Sequence, residues 1–152
     1  MIDHNGETVM TRPILAFACA GIVAAVALAQ DALIPVALTA DDLQWDTERS
    51  NHRANVAGSN ETAGIYVYRT RFPEGFRNQP HYHPDNRVVT VISGTLHVAH
   101  GEEIDEAAMR AIPAGGLWTE PAGVAHYVWA KDGPVIIQVI GEGPSGTTQV
   151  NP

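Results

Sequence analysis

The chain has 152 residues, a formal net charge of −8 at pH 7 and a single cysteine, Cys19. This length is close to that of one ordinary domain. An acidic chain with scattered basic residues repels phosphate backbones, so nucleic acid is excluded as an expected partner.

Residues 1–29 are interpreted as a secretory signal peptide. Arg12 precedes an apolar run from Ile14 to Leu28, and small residues at Ala27 and Ala29 form an A-x-A cleavage pattern. The run is shorter than the ~20 residues of a transmembrane helix, and an uncleaved N-terminal anchor is the alternative. Cleavage predicts a periplasmic or secreted protein with no cysteine and no membrane contact; Met10 is an alternative start.

Residues 30–60 are predicted to form an N-terminal extension. Thr39, followed three residues later by Asp42, is typical of a short helix start, from which Leu43 and Trp45 could pack onto the main body. The polar stretch Asn51–Glu61 is predicted to be a loop.

Residues 61–152 are predicted to form one barrel domain. Short segments rich in β-branched and aromatic residues predict strands at Ile65–Phe72, Val88–Ser93, Thr95–Ala99, Leu117–Glu120, Ala125–Ala130 and Val135–Ile140. Gly94 predicts a tight turn that makes the second and third of these strands a hairpin, and Ile104–Ala111 predicts a short helical excursion. The Gly- and Pro-rich tail from Gly141 receives no element. This pattern predicts an all-β sandwich or barrel.

Three histidines are the candidate metal ligands. His81 and His83 are two residues apart, and residues at i and i+2 of a strand project to the same face. Their imidazoles could therefore converge on one metal ion, although an H-x-H pair taken alone is more often a polar strand face.

Two motif spacings connect these histidines with a third. Gly75, His81, His83 and Gly94 fit the first cupin motif, G-x5-H-x-H-x3-E-x6-G, and Gly115, Pro121, Gly123 and His126 fit the second, G-x5-P-x-G-x2-H-x3-N, through its histidine. The chain resembles a single-domain member of the cupin superfamily. The resemblance implies a double-stranded β-helix (a jelly-roll barrel) with one divalent metal near its mouth, held by His81, His83 and His126.

The sequence departs from the motifs at two positions. Ala130 stands where the second motif ends in asparagine, and Arg87 stands where the first motif has its glutamate ligand. A guanidinium cannot ligate a metal. The site is therefore interpreted as a three-histidine centre, with two alternatives: Asp85 or Glu120 supplies a replacement oxygen, or the metal site has been lost.

Arg87 is predicted to point inward, because it occupies the position of the motif carboxylate. A cation beside a metal requires an anion nearby. Arg87 is therefore expected either to pair with an acid such as Asp85 or Glu120, or to bind an anionic substrate through its planar fork. The alternative is that Arg87 turns outward into solvent.

Two classes of function follow. The first is a metalloenzyme of dioxygenase or lyase/isomerase type, with Fe, Mn, Ni or Zn as its cofactor, acting on an anionic small molecule that Arg87 binds. The second is a non-catalytic module that binds or senses a metal or small ligand. No residue is assigned as a catalytic acid or base. The resemblance is also compatible with a homodimer formed through sheet edges.

Overall fold

The structure is a computed structural model that describes residues 32–150. The predicted signal peptide lies outside the described residues. Within them, no helix is long and apolar enough to cross a membrane. Ten strands are present in this part of the chain: β1 (His52–Ala57), β2 (Gly64–Phe72), β3 (His81–Tyr82), β4 (Arg87–Ser93), β5 (Thr95–His100), β6 (Arg110–Pro113), β7 (Leu117–Glu120), β8 (His126–Trp129), β9 (Val135–Gly143) and β10 (Thr148–Gln149).

The strands form two five-stranded antiparallel sheets. The first sheet has the order β1-β2-β9-β4-β7, and the second has the order β10-β3-β8-β5-β6. Every paired strand runs antiparallel to its neighbour, which confirms the all-β prediction. This two-sheet arrangement is the expected jelly-roll.

Alternating side chains of the long strands fill the space between the sheets. On β2, Tyr66, Tyr68 and Phe72 are buried, whereas Ile65 and Arg71 are exposed. On β4 and β9 the same alternation buries Val89, Val91, Val135, Ile137 and Val139. Burial of a side chain of this size contributes about 1.5–3 kcal/mol, so these central strands hold the walls of the barrel in place.

The turn at Gly94 joins the two sheets, and the predicted hairpin is wrong. β4 pairs with β7 and β9, whereas β5 pairs with β6 and β8. Gly94 has a φ of +78°, and a Cβ there would lie 2.4 Å from the carbonyl oxygen of Pro134. Only glycine fits this corner, where the chain leaves one sheet and enters the other.

The N-terminal extension contributes a strand to the first sheet. The stretch predicted to be a loop contains β1, which pairs with β2 over the register His52↔Arg71 to Ala57↔Val67. Polar side chains obscured this strand in the sequence, because β1 lies at the edge of the sheet and only Ala54 is fully buried.

Both predicted helical segments are present as single 3₁₀ turns. At the first, Ala40–Asp42, the Asp42 carboxylate accepts hydrogen bonds from the backbone N–H and the hydroxyl of Thr39, and Leu43 is buried. The second, Glu106–Ala108, is shorter than predicted, because the chain enters β6 at Arg110.

The C-terminal tail forms part of the barrel wall. β9 extends to Gly143, and β10 then pairs with β3 through Thr148↔Tyr82 and Gln149↔His81. Residues to which periodicity assigned no element therefore lie beside the candidate histidines.

Candidate metal centre

Strand pairing brings the three candidate histidines together. His81 on β3 is the register partner of His126 on β8, and His83 follows two residues after His81. Gly123, in the turn before β8, donates its backbone N–H to the carbonyl of His83 at 2.8 Å. The ring centroids lie 4.8 Å apart for His81–His83, 4.5 Å for His81–His126 and 5.0 Å for His83–His126.

The hydrogen bonds of the three rings fix their orientation. In each ring, Nδ1 contacts a backbone carbonyl oxygen, so Nδ1 carries the proton and Nε2 keeps its lone pair. The acceptors are Gln79 for His81 at 2.9 Å, Gly146 for His83 at 2.7 Å and Val124 for His126 at 3.1 Å. This arrangement of backbone acceptors behind imidazoles is typical of metal-binding histidines.

The donor atoms fit a divalent metal. One ligand atom from each histidine lies within 4.8 Å of those of the other two, and all three side chains are buried. Nε2 of His126 is buried and has no hydrogen-bond partner among the described residues. A buried polar atom without a partner is unfavourable unless something else satisfies it, and a cation among the three Nε2 atoms would do so.

Burial keeps these imidazoles in the form that binds metals. Desolvation lowers the pKa of His81 below its ordinary value, that of His83 to about 4 and that of His126 to about 3. The three rings are therefore neutral at pH 7, as metal coordination requires.

Arg87 points into the barrel, as expected, and its guanidinium contacts protein acceptors. Nε donates to Asp85 Oδ2 at 3.2 Å, and Nη1 donates to the Tyr68 hydroxyl at 3.3 Å. Nη2 donates to the Ser145 hydroxyl. The pairing with an acid that the sequence suggested is thus present, and the role of Arg87 in substrate binding stays a prediction.

Asp85 is the anion that compensates Arg87. Its carboxylate also accepts hydrogen bonds from the hydroxyls of Tyr66 and Ser145. Burial would raise the pKa of Asp85, but the hydrogen bonds from Ser145, Tyr66 and Arg87 outweigh it and lower the pKa below its ordinary value. Asp85 is therefore ionised, and its carboxylate belongs to this hydrogen-bond network.

Glu120 lies between the histidines and Arg87. Its Oε2 is 3.5 Å from His83 Nε2 and 3.7 Å from Arg87 Nη1, and its Oε1 is 3.6 Å from His126 Nε2. Burial raises the pKa of Glu120 to about 7, although the charge of Arg87 acts in the opposite direction. Of the two acids that the sequence offered as replacement ligands, Glu120 is the one that approaches the imidazoles.

A cavity of about 260 Å³ opens beside the cluster. One side of the cavity is lined by His81, His83, Arg87 and Glu120, and both polar and apolar side chains form the rest of the wall. Sequence reasoning missed Arg49, Arg53, Asn78, Thr147 and Gln149, which also line the cavity. Because Arg49 and Arg53 lie at or near the edge strand β1 and the last two lie in the tail, periodicity provided no signal for them.

The two histidines on β5, His97 and His100, contact acceptors outside the cluster. His97 Nε2 lies 2.7 Å from Asp132 Oδ2, and His100 Nε2 contacts the carbonyl oxygen of Thr119 at 2.9 Å. Neither is needed to complete the three-histidine cluster.

Comparison with known proteins agrees with this architecture. Residues 68–141 match the family model described as Cupin domain. A search of the curated proteins finds no match. The fold and the family match define a cupin barrel. Residues 68–141 are a cupin domain, which confirms the resemblance that the two motifs predicted.

Solved structures share the fold at low sequence identity. An RmlC-like cupin from Shewanella frigidimarina is 16% identical, with a TM-score of 0.59 over 74% of this chain and 95% of that one. A conserved protein with a double-stranded beta-helix domain from Klebsiella pneumoniae is 21% identical, with a TM-score of 0.61 over 76% and 96%. A sugar phosphate isomerase from Silicibacter pomeroyi is 16% identical, with a TM-score of 0.58 over 77% and 83%. These likenesses concern the fold alone.

Proposed function

We propose that this cupin is a metalloenzyme that binds one divalent transition metal through Nε2 of His81, His83 and His126 and acts on a small anionic molecule. The observation that carries the proposal is the convergence of the Nε2 atoms of three buried histidines, each of which hydrogen-bonds a backbone carbonyl through Nδ1. A purely structural cluster has no need of three neutral imidazoles with matched tautomers and a buried atom without a partner.

The bound metal would supply a Lewis acid for a lyase or isomerase reaction, or a centre for dioxygen activation if it is iron. The protein would position the metal and the substrate and surround them with an environment of lower dielectric constant than water. The adjoining cavity gives a small molecule access to the cluster, and Val128, Ile137 and Val139 provide its apolar wall. Electrostatic contacts that a substrate makes beside these buried side chains would be stronger than the same contacts in bulk water.

Charge around the cavity favours an anionic ligand. Arg53 lines the cavity, and its guanidinium stacks on the Tyr68 ring at 3.6 Å from the ring centroid. Arg49 lies at the same wall. Because Arg87 is neutralised by Asp85, Arg53 is the better candidate for orienting a carboxylate or phosphate, and Arg87, which lines the same cavity, is the second candidate.

Elemental analysis of the purified protein tests the metal. We expect about one equivalent of Fe, Mn, Ni or Zn in the wild type and a loss of metal in His83→Ala and His126→Ala. His97→Ala is the matched control, because it removes a histidine of the same barrel outside the cluster. Equal metal content in all four proteins, or none in the wild type, would refute the three-histidine centre.

Turnover assays then separate the two classes of function. Iron directs the assay to oxygen consumption, and manganese, nickel or zinc directs it to lyase and isomerase screens with carboxylates and sugar phosphates. Tight metal or ligand binding with no turnover in any screen would support the non-catalytic binding or sensing module instead.

We also propose that the protein is exported and that the signal peptide ends at Ala29. The support is the apolar run Ile14–Leu28 after Arg12, with the A-x-A pattern that follows. N-terminal sequencing of the protein from the cell envelope should begin at Gln30, and a start at Met1 or Met10 would contradict cleavage. Light scattering on that mature protein would test the predicted homodimer.

A further inference from the structure

Glu120 and Arg87 lie opposite each other beside the candidate metal centre. Arg87 on β4 and Glu120 on β7 are direct register partners. Side chains of directly opposed residues in an antiparallel pair lie on the same face of the sheet. Both are buried, so both point into the barrel. The two strands thus place a cation where the first motif has its carboxylate, and a carboxylate on the neighbouring strand.

The distances from Glu120 to two imidazoles match those between ligands of one metal. Atoms bound to a tetrahedral metal at ~2.0–2.2 Å lie roughly 3.3–3.6 Å from one another. Glu120 Oε2 is 3.5 Å from His83 Nε2, and Oε1 is 3.6 Å from His126 Nε2. Among the described residues, no hydrogen bond joins these atoms, and His126 Nε2 has no hydrogen-bond partner there.

Glu120 also has no close cationic partner of its own among the described residues. Asp85 neutralises Arg87 through the contact at 3.2 Å, whereas Glu120 approaches Arg87 only to 3.7 Å. An ionised Glu120 would therefore be a buried carboxylate without a close ion pair, which is costly unless a cation lies beside it. A divalent metal between the imidazoles and Glu120 would supply that cation.

We infer that Glu120 is the fourth protein ligand of the metal and that Arg87 is a positioning residue that orients its carboxylate. The carboxylate that the first motif carries on β4 is, in this chain, supplied from β7. This inference rests on the proposed three-histidine centre, and it replaces a neutral centre by one with an anionic ligand.

Metal titration of the apoprotein tests the inference without any assay of activity. We would titrate wild type, Glu120→Gln and the control Glu142→Gln with Co(II), recording the visible spectrum and the dissociation constant. Glu142 is exposed on β9, so its substitution changes net charge equally without touching the cluster. Circular dichroism and the melting temperature would check that each variant is folded.

We expect Glu120→Gln to bind Co(II) about 10–100-fold more weakly, with an altered spectrum and an unchanged stoichiometry. Glu142→Gln should match the wild type. If the wild type binds no metal, the proposed function fails together with the inference. If Glu120→Gln keeps the wild-type affinity and spectrum, the inference is wrong while the three-histidine centre stands. Should Glu120→Gln fail to fold, Glu120→Asp would replace it: a shorter carboxylate that leaves affinity and spectrum unaltered would equally contradict ligation.

Discussion

Arg87 and Glu120 face each other across the antiparallel strands β4 and β7, with Arg87 Nη1 3.7 Å from Glu120 Oε2. Neither residue is paired exclusively with the other. Arg87 makes its closer ionic contact with Asp85, and Glu120 extends toward His83 and His126. One buried chain of charges thus runs from Asp85 through Arg87 and Glu120 to the imidazole cluster.

Replacement of Asp85 should be the most destabilising change in this chain of charges. We expect Asp85→Asn to lower the free energy of unfolding by roughly 3–5 kcal/mol, because the buried guanidinium of Arg87 loses its compensating charge. Urea unfolding measures this change. Asp46→Asn is the matched control, since its salt bridge with Arg49 at 3.2 Å is solvent-exposed and should contribute only about 0–1 kcal/mol. Equal losses in the two variants would mean that Arg87 does not depend on Asp85.

The positions of the histidines could be predicted from the sequence, and so could an inward Arg87 paired with Asp85 or Glu120, but not which acid contacts which group. His81 and His83 share a face because strand geometry alternates every residue, and the spacing to His126 matched a known motif. The pairing of Arg87 with Glu120 depends on the register between β4 and β7, which are distant in sequence. The residue pattern of either strand taken alone does not determine which residues the two strands pair.

The same reason explains the missed residues beside the histidines and Arg87 and along the cavity wall. Ser145, Gly146 and Gln149 follow a Gly- and Pro-rich stretch that predicts no element, yet Gly146 accepts the hydrogen bond from His83 and Gln149 pairs with His81. Arg53 belongs to an edge strand whose polar sequence resembles a loop. These segments are ordered by contacts with the rest of the barrel rather than by their own composition.

Two glycines with similar φ should respond differently to alanine. Gly75 has φ +81° and open space where a methyl group would be added, so Gly75→Ala should cost about 1–2 kcal/mol from the left-handed backbone alone. Gly94 has φ +78° and would also place Cβ 2.4 Å from the Pro134 carbonyl oxygen. We therefore expect Gly94→Ala to lower the melting temperature clearly more than Gly75→Ala. Similar melting temperatures would show that the corner between the sheets relaxes.

Stability should fall at alkaline pH through Tyr66. Burial and the hydrogen bond to Asp85 raise the pKa of Tyr66 above its ordinary value of 10.0. Above pH 10 the unfolded chain loses this proton while the folded chain keeps it, so the free energy of unfolding decreases as pH rises. Tyr66→Phe removes this contribution and should flatten the decrease between about pH 9 and 11 in urea unfolding. Tyr82→Phe, a phenylalanine substitution outside the Asp85 network, is the control, and identical slopes in both variants would contradict the assignment.

Arg53 should determine the affinity for small anions at the cavity. A hydrogen bond to a charged group contributes about 1.5–3 kcal/mol, so Arg53→Gln should weaken binding of acetate and pyruvate to the Co(II)-loaded protein by about 10–100-fold. Changes in the visible spectrum of bound Co(II) report this binding. Arg69→Gln is the matched control, because Arg69 is on β2 and its Nε donates to Gln138 Oε1 at 3.1 Å, away from the cavity lining. An Arg53→Gln protein that binds both anions as tightly as Arg69→Gln would place the anion-binding group elsewhere and return Arg87 to consideration. Because the metal ligands are unchanged in both variants, metal content should remain at the wild-type value, so any loss of anion affinity arises from the guanidinium of Arg53.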